Sequence, residues 1–154
     1  MPDAGATPKG FAPFGYMDFA TRSKPRISKF NDFLDGTSNT MLLSEQLAPQ
    51  FDSDQDHRGD MQNDDDCCTY YMTINTPNTK ANDVMRPGFC VSRPLYNMPC
   101  STGANCHKAA RSRHPGGVIV LLGDGSVRFV QNSIALSIWQ AIGTMTGGET
   151  ISNL

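Results

Sequence analysis

The 154-residue sequence has no hydrophobic run long enough to cross a membrane. Its longest apolar stretch, Val118 to Leu122, falls far short of the roughly 20 residues that a spanning helix needs. Residues 1 to 10 have neither a basic start nor an apolar core, so they do not form an export signal. We therefore expect no membrane contact by this segment.

Charge is also scarce, since only 18% of the residues are charged and the formal net charge is -2. A protein that binds nucleic acid through phosphates has an excess of basic residues, and stacking sites place aromatic side chains among them. Neither feature is present, and we expect no nucleic-acid partner.

Recognisable catalytic motifs are missing as well. The sequence has no Gly-x-Ser-x-Gly elbow, no phosphate-binding loop and no His-Glu-x-x-His helix. We therefore predict that the chain is not an enzyme.

Glycine and proline, in contrast, are abundant, with 14 and 10 residues. Together with a hydrophobic fraction of 38%, this composition predicts a folded, turn-rich chain of one domain spanning residues 1–154. Residues 1–25 have irregularly spaced aromatic side chains and are interpreted as an irregular lead-in.

All five cysteines lie within a stretch rich in Asn, Pro, Asp and Thr, which we interpret as a loop-rich insertion from about 50 to 108. Zinc fingers and haem attachment sites need ligand spacings that are absent here. Disulfides formed in an oxidising compartment are the simpler explanation, and an odd count leaves one thiol free or paired between molecules. The pairing stays open, although strain argues against a bond between the two neighbouring residues. The candidates are Cys67, Cys68, Cys90, Cys100 and Cys106.

The C-terminal region has the clearest pattern of strands. Residues 118–122 and 127–130 are β-rich runs around Gly123-Asp124-Gly125-Ser126, which predicts a hairpin with a two-residue loop. That loop pairs Leu122 with Val127 and Val120 with Phe129, and the apolar first strand should be covered on both faces. Residues 40–46 predict a further strand of the same sheet.

A helix should follow the hairpin, because apolar residues recur at helical spacing from 134 to 142 before Gly143. Asn132 or Ser133 is expected to cap it, and its apolar stripe should pack on the sheet. The predicted fold class is therefore α+β: an antiparallel sheet with a C-terminal hairpin, a short packed helix and a disulfide-stapled insertion.

Three other segments give weaker patterns. Residues 26–34 fit either a short helix or a strand ending in a helical turn. Residues 69–74 predict a short strand, and residues 75–105 contain little but turn-forming residues.

Several short motifs together resemble one bacterial family, the prepilin-type, processing-associated proteins defined by a His, nine residues and then Asp-Gly. His114 and Asp124-Gly125 keep this spacing, and the histidine lies in the run Ala109-Ala110-Arg111-Ser112-Arg113-His114-Pro115-Gly116-Gly117, which also resembles the family. A second signature is similar to the run Asp35-Gly36-Thr37-Ser38-Asn39-Thr40, which closes on Glu45. Asp56-His57-Arg58-Gly59 and Thr76-Pro77-Asn78 also look like family segments, so the resemblance covers roughly residues 26–151.

The resemblance implies an extracytoplasmic, pilin-like or pseudopilin-like head of a surface fibre or a type II secretion apparatus. Such a head assembles with itself or with other pilin-like subunits, so a homo-oligomer is expected. Members usually begin with a prepilin leader and a long apolar helix, and neither is expected within this chain. An older label of the family implies an alternative, a cell-surface module that binds a solute or a carbohydrate.

The histidine and the aspartate of the first signature are not expected to form a catalytic pair. An extended strand rises about 3.3 Å per residue, so the side chains should lie on the order of 20 to 30 Å apart. The spacing is better explained as the length of one arm of the hairpin. We predict structural roles for Asp35, Gly36, Asn39, His114, Gly116, Gly117, Asp124 and Gly125.

Two further clusters allow binding hypotheses. Asp52, Asp54 and Asp56 alternate as calcium ligands do, but the glycine and glutamate of an EF-hand loop are missing. These aspartates could therefore bind calcium at a looser site, or they could form a solvated acidic loop without a metal. The second cluster is basic and consists of His107, Lys108, Arg111, Arg113 and His114. These side chains should pair with the acidic loop of the same chain or bind an anion. A concave pocket of the alternative module would use Tyr70, Tyr71, Phe89 and Tyr96.

Overall fold

The computed structural model describes residues 12–14, 28–62 and 66–149, which form a mixed α+β fold. The described part contains five strands and two helices. In chain order they are β1 (Met41–Ser44), α1 (Asp66–Thr69), β2 (Asp83–Met85), β3 (Cys100–Thr102), β4 (Gly117–Leu122), β5 (Val127–Gln131) and α2 (Leu136–Ile142). Short 3-10 turns cover Phe30–Asp32, Thr37–Asn39 and Pro94–Tyr96.

The main sheet is antiparallel and has the strand order β1-β4-β5, which confirms the predicted fold class. The hairpin of β4 and β5 is also confirmed, but the predicted register is wrong by one residue. Leu121 pairs with Val127 and Ile119 with Phe129. The reason is the length of the loop. The Gly125 N–H donates to the Leu122 carbonyl and closes a turn, and Gly125 itself has a φ of 84°, so the loop contains three residues, 123–125, instead of two.

The strand β4 is central, but only one of its faces is fully buried. Val118, Val120 and Leu122 form the core with Trp139 and Ile142 of α2. The prediction that both faces are covered is wrong for the described residues, because the opposite face leaves several large apolar side chains exposed. These are Leu43, Ile119, Val127 and Phe129, which we call the outer sheet face.

The C-terminal helix packs on the sheet as predicted and ends at Gly143. Its start is later than predicted, because the N-cap is Ala135, which makes no side-chain cap hydrogen bond. Asn132 and Ser133 are instead used elsewhere: the first accepts a hydrogen bond from Asn78, and the second bonds to Gln131.

The insertion contains two disulfides, Cys67–Cys106 and Cys90–Cys100, and the fully buried Cys68 belongs to neither. The neighbouring cysteines therefore do not pair with each other, as expected. The prediction of little but turns in 75–105 is wrong, because β2 and β3 form a small parallel sheet. The strand predicted at 69–74 is absent, since residues 66–69 form α1 and an irregular segment follows.

The lead-in of residues 1–25 lies mostly outside the described residues. The segment 26–34 is partly described, and its described part contains the 3-10 turn Phe30–Asp32 rather than a strand or a longer helix. No helix in the described part of the chain is long and apolar enough to span a bilayer.

Candidate functional site: a buried arginine–aspartate network

The most unusual feature of the molecule is a group of charged side chains buried within the insertion and the segment that leads from it to β4. Arg58 is 3% exposed and lies between two carboxylates. Its Nη2 donates to Asp56 Oδ2 at 2.6 Å, and its Nη1 donates to Asp83 Oδ2 at 3.0 Å. The same guanidinium also donates to the backbone carbonyls of Val91 and Met98, so this one side chain ties three segments together.

Asp83 is shared between two arginines. Its Oδ1 accepts hydrogen bonds from Nη2 of the buried Arg111 at 2.9 Å and from the backbone N–H of Ala109 at 3.1 Å. Arg111 also donates to the carbonyls of Thr79 and Ala81. Both arginines belong to segments that resemble family motifs, and the network joins them.

The network is electrically balanced, with two carboxylates facing two guanidinium groups. Burial opposes the ionisation of Asp56, but the hydrogen bonds and the charge of Arg58 outweigh it and lower the pKa of this carboxyl. Burial likewise opposes the charge on Arg58, and its two carboxylate partners outweigh that effect and raise its pKa. Each charge is therefore held by a partner of opposite sign, as buried charges require.

A third cation, Lys108, lies beside the network and is 3% exposed. Its Nζ donates to Gln46 Oε1 at 3.0 Å and to the backbone carbonyl of Cys68. Among the residues that the structure describes, no carboxylate lies within ion-pair distance of this ammonium group. Burial consequently lowers the pKa of Lys108 to about 8, although the charges of Cys68, Asp83 and Asp56 partly oppose the shift.

Asn78, in the segment Thr76-Pro77-Asn78, connects the insertion to the sheet. Its Nδ2 donates to the carbonyl of Gly117 at 3.0 Å, and its Oδ1 accepts the backbone N–H of Ser112 at 2.8 Å. Its backbone has a φ of 52°, a left-handed conformation that asparagine tolerates better than most residues. Asn97, with a φ of 60°, donates to the same Oδ1.

The two main signatures meet at a pair of side chains that are partly exposed. Nε2 of His114 lies 3.1 Å from Oε1 of Glu45, whose Oε2 accepts the backbone N–H of Ile119 at 2.7 Å. Asp124, at the far end of β4, accepts hydrogen bonds from the backbone and hydroxyl of Ser126. Those bonds lower the pKa of the Asp124 carboxyl. Each residue of the His and Asp-Gly signature thus has a different partner.

The second signature supports the turn of the hairpin and the segment after α2. Thr37 and Thr40 accept, through their carbonyls, the backbone N–H groups of Asp124 and Gly123. The carboxylate of Asp35 accepts the N–H groups of the glycines at 147 and 148 at 2.8 and 2.7 Å. Gly36 has a φ of 89°, and Asn39 Nδ2 donates back to the Asp35 carbonyl.

The structure gives two of the calcium candidates other partners. Asp54 accepts a hydrogen bond from Arg93 at 2.7 Å, and Asp56 is held by Arg58. Within residues 12–14, 28–62 and 66–149, no group of three or more His, Cys, Asp or Glu side chains could hold a metal ion. The alternating pattern that includes Asp52 therefore does not converge on a metal site in this part of the chain.

The basic cluster is dispersed rather than paired with the acidic loop, so the expected partners are wrong. Arg113 donates to Gln50 and His107 contacts the Asn105 carbonyl, whereas the other three contact Gln46, Asp83 and Glu45. Two of the acidic residues already have other partners, because Arg58, within the loop itself, binds Asp56 and Arg93 binds Asp54.

The four aromatic side chains proposed for a pocket also separate. Tyr71 packs against the main core, Phe89 packs on the Cys67–Cys106 disulfide, and Tyr96 contacts Phe51 at a ring distance of 5.9 Å. Tyr70 is exposed.

The residue that sequence analysis missed is Asp83. A signal was available, because Asp83 is the single acidic residue between 75 and 105. A lone carboxylate in an otherwise neutral or basic segment is a candidate for a buried partner of arginine.

The family comparison identifies a domain of unknown function. The family SBP_bac_10, described as a protein of unknown function (DUF1559), matches residues 4–137, which is most of the chain. No curated protein and no solved structure matches the chain. The chain therefore belongs to the SBP_bac_10 family of proteins of unknown function.

Proposed function

We propose that this chain is a non-enzymatic, extracytoplasmic structural subunit, a pseudopilin-like head that assembles with copies of itself or related subunits. The observation that carries the proposal is the use of the family-motif side chains. Arg58, Asn78, Arg111 and Asp35 all bind other parts of the same chain. Motif residues engaged in this way fix a shape, whereas a catalytic site needs groups free to meet a substrate.

The disulfides support an oxidising location. Both bridges close loops within the insertion, where short strands and turns provide little regular hydrogen bonding. Disulfides persist in exported proteins and are rare in the cytosol. The periplasm, the cell surface and an extracellular fibre all meet this condition.

The outer sheet face supports assembly. Leu43 is 55% exposed, Val127 62% and Phe129 49%, and all three lie on one face of a single sheet. Clusters of large exposed apolar side chains mark surfaces that bind other proteins. The alternative, a solute-binding or carbohydrate-binding module, gains no support from the aromatic side chains, because they do not form one pocket.

The proposal is tested in the cells that produce the protein. Intact cells are labelled with an antibody, surface fibres are sheared off, and the fibre fraction is analysed by mass spectrometry with and without reduction. We expect the chain in that fraction with Cys67–Cys106 and Cys90–Cys100 intact. A cytosolic marker protein is the control for lysis.

Two outcomes would contradict the proposal. Recovery from the cytosol with reduced thiols would refute an extracytoplasmic subunit. Recovery as a dispersed cell-surface monomer that never enters a fibre or secretion complex would favour the binding module.

A further inference from the structure

We propose that the open edge of β5 is a docking site for β5 of a second copy, paired antiparallel and centred on Phe129. This inference deepens the proposed function by naming the first contact between subunits. The contact is isologous and closes at two copies, so a fibre would need a second, different interface.

The hydrogen-bonding pattern of the hairpin determines which backbone groups are free. Leu122 N–H donates to the Ser126 carbonyl, and Asn132 N–H donates to the Gly116 carbonyl. Successive residues of a strand direct their N–H and C=O groups to opposite sides, so Arg128 and Val130 also bond to β4. Val127, Phe129 and Gln131 therefore direct theirs to the other side.

That other side is an unpaired edge in the described part of the chain. β5 is the last strand in the order β1-β4-β5, and no described strand lies beyond it. The Gln131 carbonyl accepts the N–H of Ile134, which leaves it a second lone pair. Exposed edges of this kind are templates for pairing with another chain unless a bulge, a proline or charged side chains block them. β5 contains no proline, and its one charged residue is Arg128.

The side chains select one register. Centring on Phe129 pairs all five residues of β5, sets Val127 opposite Gln131 of the second copy, and sets Arg128 opposite Val130. Centring on Arg128 would place two arginines directly opposite each other, which is unfavourable. Centring on Val130 would leave Val127 unpaired within the strand. Only the Phe129 register combines full overlap with no opposed like charges.

The same register joins the apolar surfaces of the two copies. Phe129 and Val127 lie on the outer sheet face with Leu43 and Ile119. A two-fold axis perpendicular to the sheet keeps this face on one side of the six-stranded sheet, so the two Phe129 residues become cross-strand neighbours. Aromatic pairs at such positions stabilise antiparallel sheets.

The test is a charge exchange at the symmetric position, with sedimentation velocity as the readout. Phe129→Lys and Phe129→Glu each place like charges opposite each other, and we expect each to raise the dimer dissociation constant by about tenfold or more. An equimolar mixture of the two variants should restore dimers, because opposite charges then face each other. Leu136→Lys, a change at an exposed apolar residue of α2, is the matched control and should dimerise like the wild type.

Hydrogen exchange of the unaltered protein is the second measurement, which does not depend on how the variants fold. The amides of Val127, Phe129 and Gln131 should become protected as protein concentration rises, whereas those of Arg128 and Val130 should be protected at every concentration. Protection of the first three that is independent of concentration would show that the chain covers its own edge, and would refute the proposal.

Two further results would also refute it: a wild type that stays monomeric with these amides unprotected, and a mixture of the charged variants that fails to associate. The measurements use purified protein, so a negative result here leaves the location and fibre evidence for the proposed function unaffected. Absence of the chain from the fibre fraction would, conversely, leave a measured dimer intact.

Discussion

Replacing Asp83 with asparagine tests how strongly the buried network stabilises the fold. The change keeps the size of the side chain and removes its charge. Arg111 would lose the carboxylate to which its Nη2 donates at 2.9 Å, and Arg58 would keep only Asp56. A buried guanidinium group would then remain without a countercharge.

The expected cost follows from the burial of all three side chains, each 2 or 3% exposed. Removing one partner of a buried ion pair costs about 3 to 5 kcal/mol, because the remaining charge is left uncompensated. A domain of ordinary stability has about 5 to 15 kcal/mol in total. Asp83→Asn should therefore lose a large share of the free energy of unfolding.

Urea denaturation with the disulfides intact measures this loss. With an m-value of about 2 kcal/mol/M, the midpoint should fall by roughly 2 M. Asp54→Asn is the matched control, since its partner Arg93 is 38% exposed, and its midpoint should change much less. Equal midpoints for the two variants would refute the reasoning, because they would show that water solvates the arginines when the Asp83 carboxylate is removed.

Three other expectations concern stability. The fold lowers the pKa of Lys108 from 10.5 to about 8, so between these pH values the native state has released a proton that the unfolded state still binds. The free energy of unfolding should therefore rise by up to about 3 kcal/mol as the pH increases from about 8 toward 10.5. Lys108→Met should remove this pH dependence in denaturation curves measured across the interval. The Cys67–Cys106 disulfide closes a longer loop than Cys90–Cys100, with sequence separations of 39 and 10. Replacing the two cysteines of a bridge with serine should therefore lower the free energy of unfolding by about 4 kcal/mol for the first bridge and about 3 kcal/mol for the second. Thermal unfolding measures both losses, and the reverse order would contradict the loop-entropy argument. Asn78→Ala and Asn78→Gly lose the same side-chain hydrogen bonds, and both must hold position 78 at a φ of 52°. Only alanine is strained in that conformation, so the alanine variant should be about 1 kcal/mol less stable, and equal stabilities would show that the backbone relaxes.

Local patterns in the sequence were sufficient to predict the hairpin, the packed helix and the strand before them. Apolar runs around Asp124-Gly125 define two strands, and apolar residues at helical spacing before Gly143 define α2, because both signals lie within a few residues. The register failed by one residue, since the difference between a two-residue and a three-residue loop depends on the φ of Gly125 and not on composition.

The cysteine count predicted disulfides in the insertion, but not which cysteines pair. Pairing depends on which residues the chain brings within reach, and Cys67 and Cys106 meet across 39 positions. The small parallel sheet of β2 and β3 was missed for the same reason. Strands of three residues have no measurable periodicity, and their register sets residues 17 positions apart beside each other, such as Asp83 and Cys100.

The sequence by itself determined the fold class, the presence of disulfides and the family motifs, because each is written in neighbouring residues. Only the tertiary structure decided what the motifs do. Arg58, Asp83 and Arg111 are separated by 25 and 28 positions, and nothing in the sequence shows that they interact. They do so only because folding buries all three side chains together. Their common burial turns isolated charges into one network, and burial is a property of the folded chain as a whole.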